Sequence, residues 1–441
     1  MSPLWSKSTR SYRRGALVVG STWKDFRPRW ANGIGKSMTI GRRAPDLVTL
    51  AGVPIDPRDE TKHFKLIGVT GTGKSTAIRE ILGSALERGD RAVIADPDCA
   101  YLAQFRNFNR GDVVLNPFEA RSVRWDPFLE IQDSYDAEQL ASALIASSDD
   151  SSGREWRGYA RTFVAAVLRR CHREYRRDVA ELWNLLLIAP AAQLRPMVAG
   201  TPAQPFLEPE NARMFASIRS IAGSALAALE FVRDQSGPGF SVRRWIQDGQ
   251  GVLYLPYRAG QIAALRSMIS TWVRLAIFET MEGRERDRRL WFVVDELDAL
   301  GVIDGLKDAL ARLRKFGGRC VLGFQSIAQV SGLYGHDAQT IIENCGNTLI
   351  FRCSSSERGG TAQFASRLIG DTEVVRTSVS RGRDQHGLFF GPGGRRRSVN
   401  VSEQTATEPA VMASELEQLP DLTGYLKRAS SRAWVRVAFA R

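Results

Sequence analysis

The sequence predicts an α/β fold: a parallel-rich central sheet interrupted by an all-α insertion. Three observations carry this. Strand, helix and strand patterns succeed one another within about 30 residues at 64–97, the spacing of a βαβ unit, which requires parallel strands. Strand signals then cease near residue 122 and helical ones take over to about 238. Beyond that point strands and helices alternate again as far as 353.

Taken in order, the first 45 residues (with STWKDFRPRW) mix Gly, Pro, Trp and Arg without a period and read as a basic arm. LVTLAGVPI reads as a strand or hairpin, and FKLIG at 64–68 as a short buried strand. KSTAIREILGSALERG has Ile78, Leu82 and Leu86 at four-residue spacing, with Gly89 as the stop, which is a helix. RAVIADPD is a further apolar strand ending in Asp96. AEQLASALIAS, EWRGYARTFVAAVLRRCHREYRR, VAELWNLLLIA and ENARMFASIRSIAGSALAALEFV are helical patterns within 122–238. GVLYLP (251–256) and the helix LRSMISTWVRLAIFETM follow, then the strands LWFVVDE (290–296), RCVLGFQ (319–325) and NTLIFRC (347–353). The Gly- and Arg-rich segment 376–408 reads as a loop or a long hairpin; its Arg395, Arg396 and Arg397 are either DNA contacts or simply solvated. The domain reading is a basic arm at 1–45, a discontinuous α/β domain at 46–121 and 239–441, and an all-α domain at 122–238.

Composition narrows the function classes. A hydrophobic content of 43% and a charged content of 25% are those of an ordinary globular protein. The longest apolar candidate, 182–194, is too short to span a bilayer and is broken by Asn184 and Pro190. The N-terminus has no apolar segment of signal-peptide length. Five cysteines without CxxC spacing read as reduced thiols. Net charge is +13, of which residues 1–45 hold +9 while 122–238 hold −2. Such asymmetry suggests a polyanionic partner, nucleic acid or an acidic membrane surface, although a solubilising basic tail would also produce it.

The chemistry begins at GVTGTGKS (68–75), which matches G-x-x-x-x-G-K-[ST] between a strand and a helix, the context the motif requires. Gly68, Gly71 and Gly73 let the backbone turn its amides toward phosphates, helped by the helix N-terminus. Lys74 reaches the β- and γ-phosphates, and the Ser75 hydroxyl is a Mg²⁺ ligand. LWFVVDE is the natural partner: Asp295 joins the Mg²⁺ shell, and Glu296 polarises the attacking water as general base. Gln325, ending the next strand, either senses the γ-phosphate or caps a neighbouring backbone group.

DALARLRKFGGRCVLGFQS (308–326) carries three cations at a helix end. On a helical wheel Ile303, Leu306, Leu310 and Leu313 form the buried stripe, Arg312 and Lys315 point away from it, and Arg314 lies on its flank. That flank suits an arginine finger directed at another subunit's ATP site, while the helix dipole accounts for all three cations equally well.

GVTGTGKST, RGDRAVIADPD, WFVVDEL, RLRKFGGRCVLGFQS and PAVMASELEQLPDLTGYL together resemble the type IV secretion coupling proteins of the TraD/TrwB group, conjugative DNA-transfer ATPases. The resemblance runs from about residue 46 to near the C-terminus. It implies a RecA-like P-loop motor domain with an all-α domain, assembled as a homohexamer that uses ATP and Mg²⁺ to drive single-stranded DNA toward a secretion pore. Relaxase and inner-membrane components of the secretion system are the implied partners. Gly68, Thr70, Gly71, Thr72, Gly73, Lys74, Ser75 and Thr76 then hold the nucleotide, Ser75 and Asp295 the metal. Glu296 serves the water, Gln325 is the sensor and Arg314 the trans-acting arginine. The family's two N-terminal transmembrane helices have no counterpart in this sequence. It reads either as a chain short of its anchor, through truncation or a later assigned start, or as a soluble version docking on a membrane partner. The expected place is the cytoplasm at the inner face of the bacterial inner membrane, with segment 1–45 drawn to anionic lipid. Two rival readings stay open: a soluble DNA translocase of the FtsK/HerA kind, and a substrate-recruiting adaptor whose ATP site governs assembly.

Overall fold

The apolar runs line up as a parallel sheet of seven strands: β1 (Phe64–Ile67), β2 (Arg91–Pro97), β3 (Val113–Val114), β4 (Val252–Tyr257), β5 (Leu290–Val294), β6 (Gly318–Phe324) and β7 (Asn347–Ile350). The computed structural model describes residues 12–14, 23–25, 47–147, 150–283, 289–356, 360–383 and 397–440. Spatial order is β7-β1-β6-β5-β2-β4-β3, every neighbouring pair being parallel. The strand β6 therefore lies between β1 and the acid-bearing β5. Successive side chains of β5 enter opposite cores, Trp291 and Val293 on one face and Phe292 and Val294 on the other. Burial on both faces is why these strands are continuous apolar runs rather than alternating ones.

Helix α1 (Lys74–Glu87) packs on one face through Ile78, Leu82 and Leu86, all buried as their spacing predicts. A short helix α2 (Ala100–Phe105) follows β2. The run between β3 and β4 is helical: α3 (Asp136–Leu144), α4 (Ser151–Arg173), α5 (Val179–Leu187), α6 (Ala191–Val198) and α7 (Ala212–Leu226). Its neck is a two-residue parallel pair, Arg124–Trp125 with Gly239–Phe240, which corrects the expectation that strands stop at 122. Two residues carry no periodicity, so no pattern announces such a pair. Buried Glu130 locks the neck, accepting from Trp125 Nε1 (2.8 Å), Ser241 Oγ (2.9 Å) and Val242 N (2.7 Å). Helix α8 (Ile262–Glu282) is buried around most of its circumference and ties the helical run to the sheet; its Thr271 Oγ1 donates to Ala143 O at 2.9 Å. Helix α9 (Leu306–Leu313) buries Leu306, Leu310 and Leu313 of the stripe read from the wheel; Ile303 is buried too but precedes the helix.

Beyond β7, the segment left open as loop or hairpin forms a hairpin of two 13-residue strands, β8 (Asp371–Arg383) and β9 (Arg397–Pro409), in unbroken register. Arg395 and Arg396 lie outside the described residues. β10 (Thr423–Lys427) adds antiparallel to β7, and β11 (Trp434–Ala438) antiparallel to β10. Two pieces of the basic arm are strands as well: Tyr12–Arg14 pairs with β8 and Trp23–Asp25 with β11. The rest of the arm lies outside the described residues. No helix among the described residues is long and apolar enough to cross a membrane.

Candidate active site

The turn from β1 to α1 is held by its neighbours before it curls. Gly68 N donates to Phe324 O (3.1 Å) on β6, and Val69 N to Arg352 O (2.9 Å) just past β7. Thr72 Oγ1 donates to Val69 O at 2.7 Å, and Leu422 N to Thr72 O at 2.9 Å. Gly71 and Gly73 take φ values of +78° and +121°, a region L side chains rarely adopt. At Gly68 the demand is space instead, because a Cβ there meets Phe351 Cβ at 2.7 Å.

Lys74 opens α1 with its side chain inside the loop, Nζ donating to Gly68 O (2.7 Å) and Val69 O (3.1 Å). Burial pulls its pKa below the usual lysine value, and the charges of Asp295 and Glu296 oppose that shift. Thr70 is exposed at the loop tip, while Thr76 is half-buried in the first turn of α1.

The two acids leave the carboxyl end of β5 in different directions. Asp295 is buried, and its Oδ2 accepts from both Ser75 Oγ and Tyr101 Oη at 2.7 Å. Half-buried Glu296 accepts from Gln325 Nε2 through Oε1 at 2.7 Å, and Gln325 Oε1 accepts from Thr70 Oγ1 at 3.2 Å. Partial burial, then the neighbouring Asp295 charge, raise the Glu296 carboxyl above its ordinary value. Thr70, Gln325 and Glu296 thus form one hydrogen-bonded line from phosphate loop to acid, and the choice left open for Gln325 falls to side-chain contacts rather than backbone capping.

A hydroxyl and a carboxylate side by side are hard oxygen donors. They suit Mg²⁺, which keeps waters and phosphate oxygens as its other ligands. Among the described residues no three His, Cys, Asp or Glu side chains converge to hold a metal without such help.

Arg314 lies elsewhere. It caps α9 and opens a 3₁₀ turn ahead of β6, at the amino edge of the sheet, whereas the phosphate loop and Gln325 lie at the carboxyl edge. The seven residues of β6 separate the two by roughly 20 Å at ~3.3 Å per residue, beyond the reach of any arginine side chain. Arg312, Arg314 and Lys315 are all exposed, so the wheel's contrast among them is not one of burial. The Arg314 side chain pairs with no described acid.

Sequence reading missed several contributors. Tyr101 touches Asp295 across 194 residues of chain, and no motif marks it. Asp96, noted only as a strand end, accepts from Tyr101 N (2.9 Å) and Leu102 N (2.7 Å), and burial pushes its carboxyl up to about 6. Gly323 is a third. A Cβ there would lie 1.8 Å from Asp295 O, so only glycine lets β6 pass the acid. Gly323→Ala is expected to destabilise by about 1–3 kcal/mol and to weaken Mg²⁺-dependent nucleotide binding, read by denaturant unfolding beside nucleotide titration. An unchanged midpoint and affinity would show that the strands part without cost.

A phosphate loop opening a helix, an acid pair two strands away and a glutamine on the strand between define a P-loop NTPase of the RecA-like α/β class. More narrowly, the chain belongs to the type IV secretion-system coupling protein DNA-binding domain family, whose model matches residues 47–440. It is 30% identical over 387 residues to Coupling protein TraD of Escherichia coli (strain K12), covering 86% of this chain and 52% of that protein. To Conjugal transfer protein TraG of Escherichia coli it is 23% identical over 410 residues, covering 81% and 62%. The chain therefore spans between about half and three fifths of the length of these curated relatives. The plasmid coupling protein TrwB in complex with ADP and Mg²⁺ superposes with a TM-score of 0.77 at 30% identity, covering 90% of this chain and 89% of that one. TrwB in complex with the non-hydrolysable ATP analogue ADPNP gives 0.77 at 29%, covering 90% of each.

Proposed function

We propose that this chain is the motor of a conjugative coupling protein, a DNA-stimulated ATPase whose subunits share catalytic sites in a homohexameric ring. The observation that carries the reading is the line Thr70–Gln325–Glu296 beside the pair Ser75–Asp295 at one sheet edge, with Arg314 exposed at the other. ATP is held by Gly68, Gly71 and Gly73 through the loop backbone, by Lys74, and by Thr70, Thr72 and Thr76 around it. Ser75 and Asp295 hold Mg²⁺, which when bound neutralises phosphate charge. Glu296 orients the attacking water and accepts its proton. Gln325 steadies the Glu296 carboxylate and reports the γ-phosphate through Thr70, while Arg314 completes the site of the next subunit.

The substrate in this reading is single-stranded DNA carried by a relaxase and passed to inner-membrane components of a type IV secretion channel. The family, a type IV secretion-system coupling protein DNA-binding domain, supports DNA as substrate and the secretion system as partner. The cytoplasmic face of the inner membrane is the corresponding location, where the +9 of residues 1–45 meets anionic lipid.

The test is ATP turnover against protein concentration, with and without single-stranded DNA. Turnover per subunit that rises with both supports the shared-site ring. Equal activation by duplex DNA in a soluble hexamer that ignores relaxase would favour the FtsK/HerA-like translocase. Nucleotide-dependent assembly without hydrolysis would favour the adaptor.

A further inference from the structure

Asp295 is served by two hydroxyls, and only one of them belongs to the motifs. Ser75 Oγ and Tyr101 Oη both donate to Oδ2 at 2.7 Å. Ser75 is also the hydroxyl that turns to the metal in the proposed site; the Tyr101 hydroxyl lies against Ser75 as well as Asp295 and belongs to no motif. The ring is wholly buried, and a phenol is protonated at neutral pH, so its hydroxyl is a donor.

The backbone that delivers Tyr101 is built for the purpose. β2 ends beside β5, in register with it from Arg91↔Leu290 to Ala95↔Val294, which brings the two carboxyl ends together. Asp98 and Cys99 then take successive left-handed conformations, φ +55° and +59°, uncommon for residues with a side chain. They persist where surrounding contacts over-determine them. Here the Asp98 N–H donates to Tyr257 O at 2.7 Å, and buried Asp96 receives the N–H groups of Tyr101 and Leu102. The sharp turn starts α2 immediately, and its second residue points at the acid.

We propose that Tyr101 is a positioning residue for the metal site, holding the Asp295 carboxylate in the orientation that accepts Mg²⁺ when Ser75 lets go of it. This rests on the Mg²⁺-ATP reading above. A buried tyrosine that merely fills core would matter for stability and not for metal dependence, so the two roles separate experimentally.

The test is Tyr101→Phe in the full chain, which removes one oxygen and keeps the ring. Affinity for a non-hydrolysable ATP analogue is measured by calorimetry in EDTA and across a Mg²⁺ titration, with thermal unfolding alongside. Losing a hydrogen bond to a charged group corresponds to about a tenfold effect. The expected result is an EDTA affinity within about twofold of wild type and a half-saturating Mg²⁺ concentration raised about tenfold. Turnover recovers as Mg²⁺ is increased. A Mg²⁺ curve superimposable on wild type would overturn the inference. So would equal losses of affinity in EDTA and in Mg²⁺ with a lowered unfolding temperature, which mark a structural role. Wild-type protein that binds the analogue without any response to Mg²⁺ would instead bring down the Mg²⁺-ATP reading, and the inference with it.

Discussion

Glu296→Gln is expected to lower ATP turnover by on the order of 10²–10⁴-fold while nucleotide affinity stays near wild type. The substitution keeps shape and keeps an acceptor for Gln325 Nε2, which now donates to Glu296 Oε1 at 2.7 Å. What it removes is the ability to take a proton. Binding is left to the loop backbone, Lys74 and Ser75, none of which Glu296 touches. Steady-state phosphate release, paired with titration of a non-hydrolysable analogue, separates the two. Turnover within a few-fold of wild type would remove Glu296 from the base role, and DNA transfer surviving in the variant would favour the adaptor reading.

Arg314→Ala is the second large effect. An arginine supplied in trans to the transferring phosphoryl group is worth about 10³–10⁵ in turnover where it has been dissected, and a loss of that order is expected here. Arg312→Ala and Lys315→Ala, equally exposed neighbours, should leave turnover near wild type, because only the phosphate-facing cation changes the chemistry. Geometry supplies a sharper test. Arg314 is separated from its own phosphate loop by the length of β6, so any phosphate it serves belongs to another subunit. Mixing Arg314→Ala with Lys74→Ala protein should restore part of the activity, since some interfaces then pair an intact loop with an intact arginine. No recovery on mixing, with Arg314→Ala alone fully active, would end the finger assignment.

Much of the site was legible because its demands are local. A loop that wraps phosphates needs backbone at positive φ, and Gly71 and Gly73 stand where φ is +78° and +121°. Both-face burial needs uninterrupted apolar runs, and LWFVV is buried at every position. The i, i+4 stripe on α1 and the stripe on α9 likewise follow from helical geometry within one segment.

Other features depend on contacts that no window of sequence contains. The Trp125–Phe240 neck joins residues more than a hundred positions apart through two-residue strands too short to have a period. Gly323 reads as an unremarkable glycine in an apolar strand until β5 is laid beside it and Asp295 O occupies the space of its missing Cβ. Two hairpin strands of 13 residues emerged from a segment whose Gly and Arg content argued as strongly for a loop. There, cross-strand pairing outweighs local propensity.

By itself the sequence determined which residues have the chemistry to bind phosphate, ligate a metal or take a proton, and it left their roles as expectations, because that chemistry belongs to side chains and to short stretches of backbone. Tertiary structure alone decided who stands next to whom. It put β6 between β1 and β5, so that Gln325 links Thr70 to Glu296. It sent Arg314 to the far edge of the same sheet, and it brought Tyr101 to Asp295. Strand order and side-chain meetings of this kind are settled by the burial of whole faces, a cooperative property of the chain in which each local pattern takes part and which none of them encodes.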